Sequence, residues 1–168
     1  VDVDCHILEA LWEDLIYEFI DMRQTIELTV ASSLDNVFTA LRDLETYTEW
    51  LSFIDSIEKV EIQGEDQSWI VVLRSQLGPF ARMKKLRMVK SSEHLGRSVC
   101  FSRSEVDSKE HSSWDLEVSC SSLDDANTKV ALTVSYGGKF WSRPLETAFN
   151  SHVEEAKTRL KLYFESRE

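Results

Sequence analysis

The sequence predicts an α+β domain: a seven-stranded antiparallel sheet wrapped around one long C-terminal helix, with an extra amphipathic helix at the N-terminus. Three observations predict it. Between residues 56 and 136, six successive runs alternate apolar and polar side chains and are joined by short turns, the pattern of an antiparallel meander. Residues 25–33 supply one more alternating run ahead of them. The last segment, 142–164, returns to helical spacing and stays there.

Residues 6–22, HILEALWEDLIYEFIDM, place Ile7, Leu8, Leu11, Trp12, Leu15, Ile16, Phe19 and Ile20 at helical spacing. Glu9, Glu13, Asp14 and Glu18 fill the opposite face, and Asp4 is positioned as an N-cap. A stripe this apolar needs a cover. The cover is its own domain, a second copy of the chain in a homodimer, or a cavity over which the helix lies as a lid. The acidic polar face argues against an anionic lipid surface. The chain therefore divides into an N-terminal extension, 1–23, and a main domain, 24–166.

Next, TIELTVASS alternates through Ile26, Leu28 and Val30 as a half-buried strand. Ser33 or Asp35 caps a helix whose buried face is Val37, Phe38, Leu41 and Leu44. A second short helical turn is expected to carry Trp50 and Leu51. The period then becomes two. SIEKVEI is followed by the GEDQ turn and by SWIVVLRSQL, where Trp69, Val71 and Leu73 share a face. Gly78-Pro79 breaks this run and ARMKKLRMVK resumes it. RSVCFSR sets Val99, Phe101 and Arg103 on one side. HSSWDLEVSC aligns Trp114, Leu116, Val118 and Cys120, and KVALTVSY aligns Val130, Leu132, Val134 and Tyr136. In the final helix Leu145, Ala148, Phe149, His152 or Val153, Ala156, Leu160 and Tyr163 form the stripe, and Pro144 is tolerated in the first turn. At about 1.5 Å per residue the helix is roughly 30–35 Å long, enough to span the sheet.

At 168 residues the chain can bury a substantial single core. Its net charge of -11 excludes general nucleic-acid binding. The charge is uneven: residues 1–66 contain seventeen acids against Arg23, Arg42 and Lys59, whereas residues 67–103 contain eight bases against Glu93. Either acidic and basic strands neighbour each other, or a groove favours an anionic group. Cys5, Cys100 and Cys120 are odd in number and form no C-x-x-C, so neither a disulfide framework nor a zinc site is indicated. Reduced thiols fit a cytoplasmic protein. No apolar run is long enough for stable membrane insertion, and no leader pattern is evident.

IELTVASSLDNVFTALRDLETYTEWLSFIDSIEKVEI resembles the opening of the START-like superfamily, also called SRPBCC or the polyketide cyclase/dehydrase and lipid-transport group. Val37-Phe38 match the helix pair of that pattern, and Tyr47 and Trp50 match the aromatics before the second strand. The sequence departs at Thr48, where many members have proline. LGPFARMKKLRM, RSEVDSKEHSSW and YGGKFW resemble actinobacterial members of the group. The resemblance covers about residues 24–166 and implies the helix-grip fold. The 6–22 helix lies outside the pattern.

The resemblance also implies an apolar or aromatic ligand held between the sheet and the long helix. Carried over by strand phase, the ligand-binding wall is expected to include Trp69, Val71, Leu73, Leu86, Met88, Val99, Phe101, Trp114, Leu116, Leu132, Val134 and Tyr136. Phe149, Val153 and Ala156 face them from the helix, and Trp50, Phe53 and Phe80 rim the opening. The bland alternative is that these side chains fill the core completely. Arg103 follows Val99 and Phe101 in phase. It is expected either to pair with a carboxylate across strands or to orient a ligand carbonyl, phenolate or carboxylate. As acid or base, His111 comes first and His152 second, with Glu105 or Asp107 as partner. No P-loop, G-x-G-x-x-G, G-x-S-x-G or H-E-x-x-H occurs, and the histidines lack metal-ligand spacing. The expected function is therefore binding or transport of a small hydrophobic ligand, such as a lipid, quinone or polyketide-like molecule, without cofactor or metal. The alternatives are a polyketide cyclase/dehydratase-type enzyme, using His111 or Arg103, and a protein-interaction module using the N-terminal helix.

Overall fold

The computed structural model describes residues 22–61, 64, 66–77, 80–105, 112–137 and 143–167. The predicted N-terminal helix, and the contact between copies assigned to it, lie outside the described residues. The elements run β1 (Met22–Val30), α1 (Leu34–Leu41), a 3₁₀ turn (Leu44–Glu49), β2 (Ile54–Val60), β3 (Ser68–Leu77), β4 (Phe80–His94), β5 (Ser98–Ser104), β6 (Ser113–Ser122), β7 (Thr128–Gly137) and α2 (Arg143–Glu165). The seven strands form one antiparallel sheet in the order β1-β7-β6-β5-β4-β3-β2. This is the meander that the alternating runs predict, with β1 joining its far edge beside β7. Gly96, with φ of 69°, takes the left-handed position in the tight turn from β4 to β5.

The short helices follow from capping and from one tyrosine. Ser33 Oγ accepts from the Asn36 amide at 3.4 Å and starts α1; Asp43 accepts from the Glu45 amide at 3.1 Å and starts the 3₁₀ turn. That turn ends at Glu49, so Trp50 is its cap rather than a member of a later turn. The buried Tyr47 donates from its hydroxyl to the Leu41 carbonyl at 2.8 Å, satisfying an orphan acceptor at the end of α1. Burial, with Cys120 and Asp43 nearby, holds the Tyr47 phenol well above its ordinary pKa. It stays a neutral donor.

The inner face of the sheet carries the core. Val30, Val99, Phe101, Val118 and Val130 are fully or almost fully buried, and Leu160, Tyr163 and Phe164 of α2 close over one end. Rings stack through this floor in sequence: Trp50 against Tyr47 at 4.7 Å, Tyr47 against Phe101 at 6.2 Å, and Phe101 against Trp69 at 5.5 Å.

Two irregularities in register re-aim side chains. In β2, Ile54 pairs with Leu73 and Ser56 with Val72, leaving Asp55 as a bulge. In β4, Lys90 pairs with Phe101 and Ser92 with Cys100, leaving Ser91 as a bulge. Lys90 keeps the inner phase of Leu86 and Met88, and the second bulge brings Glu93 onto the same side, where α1 ends. Glu93 accepts from Arg42 Nε at 2.9 Å, Arg42 Nη2 at 2.7 Å and Lys90 Nζ at 3.1 Å. Lys90 also lies 5.9 Å from the Trp69 ring centroid.

Burial alone would raise the Glu93 pKa. The hydrogen bonds and charges of Lys90 and Arg42 outweigh it and hold the carboxyl below its ordinary value. A depressed carboxyl stabilises the fold above its unfolded pKa, and that contribution disappears as pH falls through the folded value. Glu93→Gln is therefore expected to cost about 1–2 kcal/mol at neutral pH. The difference from the unaltered protein should shrink towards zero in strong acid. Urea denaturation at both pH values checks this; an equal cost at both would rule out the ionic account.

Candidate functional site: a cavity between sheet and helix

The core does not fill the space between sheet and α2. A cavity of about 380 Å³ remains, inside the roughly 300–1,000 Å³ range of small-molecule sites. Its wall comes from β1 (Ile26, Leu28), β3 (Val71, Leu73), β4 (Leu86, Met88), β6 (Trp114, Leu116), β7 (Leu132, Val134, Tyr136) and α2 (Val153, Ala156, Leu160). The alternation of each strand supplies one apolar residue in two to this face. The helix supplies Val153, Ala156 and Leu160 at spacings of three and four.

Thirteen of the expected ligand-contacting residues border this space: Trp50, Phe53, Val71, Leu73, Leu86, Met88, Trp114, Leu116, Leu132, Val134, Tyr136, Val153 and Ala156. Trp50, expected at the rim, is 1% exposed and forms part of the wall beside Tyr47. Phe53 does border the opening, edge-on to His152 at 5.8 Å between ring centroids. Ser52 donates to Glu155 at 3.0 Å and so ties this loop to α2. Trp114 and Tyr136 pack together at 5.0 Å. The indole N–H groups of Trp50 and Trp114 are buried with no acceptor among the described residues. The wall therefore offers aromatic surface rather than a hydrogen-bond network.

Three expectations need correction. Trp69 and Phe101, at 1% and 0% exposed, do not line the cavity, nor does Val99. Tyr47, which itself borders the cavity, covers Phe101, and Phe101 packs in turn on Trp69, so Phe101 and Trp69 belong to the solid floor. Arg103 stands beside the wall rather than in it, and its Nη1 donates to the Ser112 carbonyl at 3.2 Å. The side chains of Phe80 and Phe149, and the whole of His111 and Asp107, lie outside the described residues.

Strand phase missed Ile54 and Ile57, which both line the cavity. Three apart, they would point to opposite faces of a regular strand. The Asp55 bulge turns both inward. Nothing in the local pattern of SFIDSIEKV announces that extra residue.

Polar groups gather around the opening. Arg74 pairs with Asp55, Lys157 with Glu154 at 3.1 Å, and His152 Nδ1 lies 3.9 Å from Glu155. Lys84 borders the cavity, and its amine pKa is lowered, first by burial and then by the charge of Arg103. Cys120 is buried in the core, and burial pushes its thiol up to about 11. It is inert at neutral pH. Among the described residues no group of three His, Cys, Asp or Glu could hold a metal ion, and no helix is long and apolar enough to cross a membrane.

No family model and no curated protein sequence matches the chain. Solved structures do. A START superfamily protein from Mycobacterium smegmatis superposes with a TM-score of 0.69 at 11% identity, covering 87% of this chain and 99% of that one. The Zhui aromatase/cyclase from Streptomyces sp. R1128 superposes with a TM-score of 0.66 at 15% identity, covering 88% and 96%. The di-domain aromatase/cyclase StfQ of the steffimycin biosynthetic pathway gives 0.64 at 12%, covering 98% of this chain and 57% of that one. At such identities the likeness is one of fold. With its seven-stranded antiparallel sheet, its long C-terminal helix and these structural neighbours, the chain has the START-like helix-grip fold.

Proposed function

We propose that the protein binds a small hydrophobic ligand in the cavity between the sheet and α2. The observation that carries this reading is the cavity itself: about 380 Å³, walled by aliphatic and aromatic side chains from six strands, the 3₁₀ turn and α2. Exposing such a wall to water is unfavourable in proportion to its apolar area, and an apolar ligand removes that area from water. Similarity to a START superfamily protein and to aromatase/cyclases supports a ligand site at this place in the fold. Titration with phenylnaphthylamine, an uncharged fluorescent apolar probe, tests it. Saturable binding of one probe per chain with enhanced emission is expected; no saturable binding would remove the reading.

A cyclase-type activity is the second reading, favoured by His152 on the cavity wall with Glu155 within 3.9 Å. A histidine oriented by a carboxylate can take or give a proton beside a bound ketone. In that case His152→Ala abolishes cyclisation of a linear polyketone while leaving probe binding intact. If the unaltered protein leaves such a compound unchanged, the reading as a binding protein stands alone.

A further inference from the structure

We infer that Lys84 and Arg103 form an anion subsite at the mouth of the cavity, so that the ligand is amphipathic, with an apolar body and a carboxylate head. This deepens the binding reading and rests on it. The argument starts from register. Lys84 on β4 lies opposite the wall residue Leu73 of β3, and Arg103 on β5 lies opposite the wall residue Met88 of β4. Directly opposed residues of an antiparallel pair project from the same face. Both cations therefore arise from the cavity side of the sheet.

Charge balance then separates Lys84 from its neighbours. The other lysine and arginine bordering the cavity are neutralised, Arg74 by Asp55 and Lys157 by Glu154. Lys84 has no carboxylate partner among the described residues. Burial first, and then the charge of Arg103, lowers its pKa. Arg103 is itself half-buried, and among the described residues its hydrogen bond goes to the Ser112 carbonyl, which carries no net charge. Among the described residues the cavity does border one acid, Asp115. It alternates with Trp114 and Leu116, so its side chain belongs to the opposite face of β6.

Lys84 and Arg103 rise from the same face of the sheet, neither has a carboxylate partner among the described residues, and like charges raise each other's free energy. A carboxylate entering between them relieves the repulsion and accepts charge-assisted hydrogen bonds from both. The placement suits a head group: apolar residues line the interior and the charge lies at the open edge. A fatty or aromatic carboxylate meets both requirements, whereas an uncharged hydrocarbon meets only the first. In a chain of net charge -11, a local positive site of this kind also draws an anionic ligand towards the cavity.

The test compares decanoate with decanol, which share an alkyl body and differ in the head. Calorimetric titration of the full chain is expected to give about tenfold tighter binding of decanoate, a difference that shrinks as salt is raised. Lys84→Gln should remove most of the difference, and Lys84→Arg should keep it. Arg103→Gln should act in the same direction. If that variant does not fold, Lys84→Gln still decides, because Lys84 is an exposed residue. Equal binding of the two compounds by the unaltered protein, or a preference that survives Lys84→Gln, overturns the subsite and leaves the cavity reading intact. Failure of both compounds to bind overturns the cavity reading and the subsite with it.

Discussion

Replacing Phe101 by alanine is expected to destabilise the protein by about 3–5 kcal/mol. Phe101 is 0% exposed and joins two halves of the floor. Tyr47 meets it edge-on from the 3₁₀ turn, and Trp69 meets it edge-on from β3. Removing the ring takes away its transfer free energy and leaves a void between two residues that cannot both move in. Tyr47 is held by its bond to the Leu41 carbonyl and Trp69 by its strand. Chemical denaturation measures the loss. Phe53→Ala, at the edge of the opening, is expected to cost about 1 kcal/mol or less. If the two substitutions cost the same, Phe101 belongs to the ligand wall rather than to the floor.

The second large effect is on binding. Ala156→Trp places an indole on the face of α2 that looks into the cavity. Ala156 is buried and lies between Val153 and Leu160, both of which line the same space. In a close-packed core this enlargement would force strain of about 1–3 kcal/mol. Here it enters open volume, so stability should be unchanged or slightly higher while phenylnaphthylamine binding falls by at least about tenfold, or roughly 1.4 kcal/mol. Loss of stability together with retained binding would mean that the space is already filled.

Most of the architecture was legible because alternation and helical period are local properties. Val99 and Phe101, Val118 and Cys120, and Leu132 and Tyr136 each share a face as their spacing predicts. The division of that face into floor and wall was not legible. It depends on where Tyr47 projects, and that is decided by a 3₁₀ turn whose own position differs from the expected one. The bulge at Asp55 was equally hidden, and with it the contributions of Ile54 and Ile57. Lys84 shows the opposite case. Its phase with Leu86 and Met88 was readable, but the significance of that phase appears only when Arg74 and Lys157 are seen to be paired and Lys84, among the described residues, is not.

The central claim is that an apolar ligand occupies the space between the sheet and α2. Methyl NMR during titration with phenylnaphthylamine addresses it most directly. The account predicts shift changes at Leu73, Leu116, Leu132 and Val153, which line the cavity, and little change at Val118 and Val130, which are fully buried in the floor. Changes confined to the exposed Leu95, Leu123 and Leu162, or no saturable change at any methyl, would contradict it.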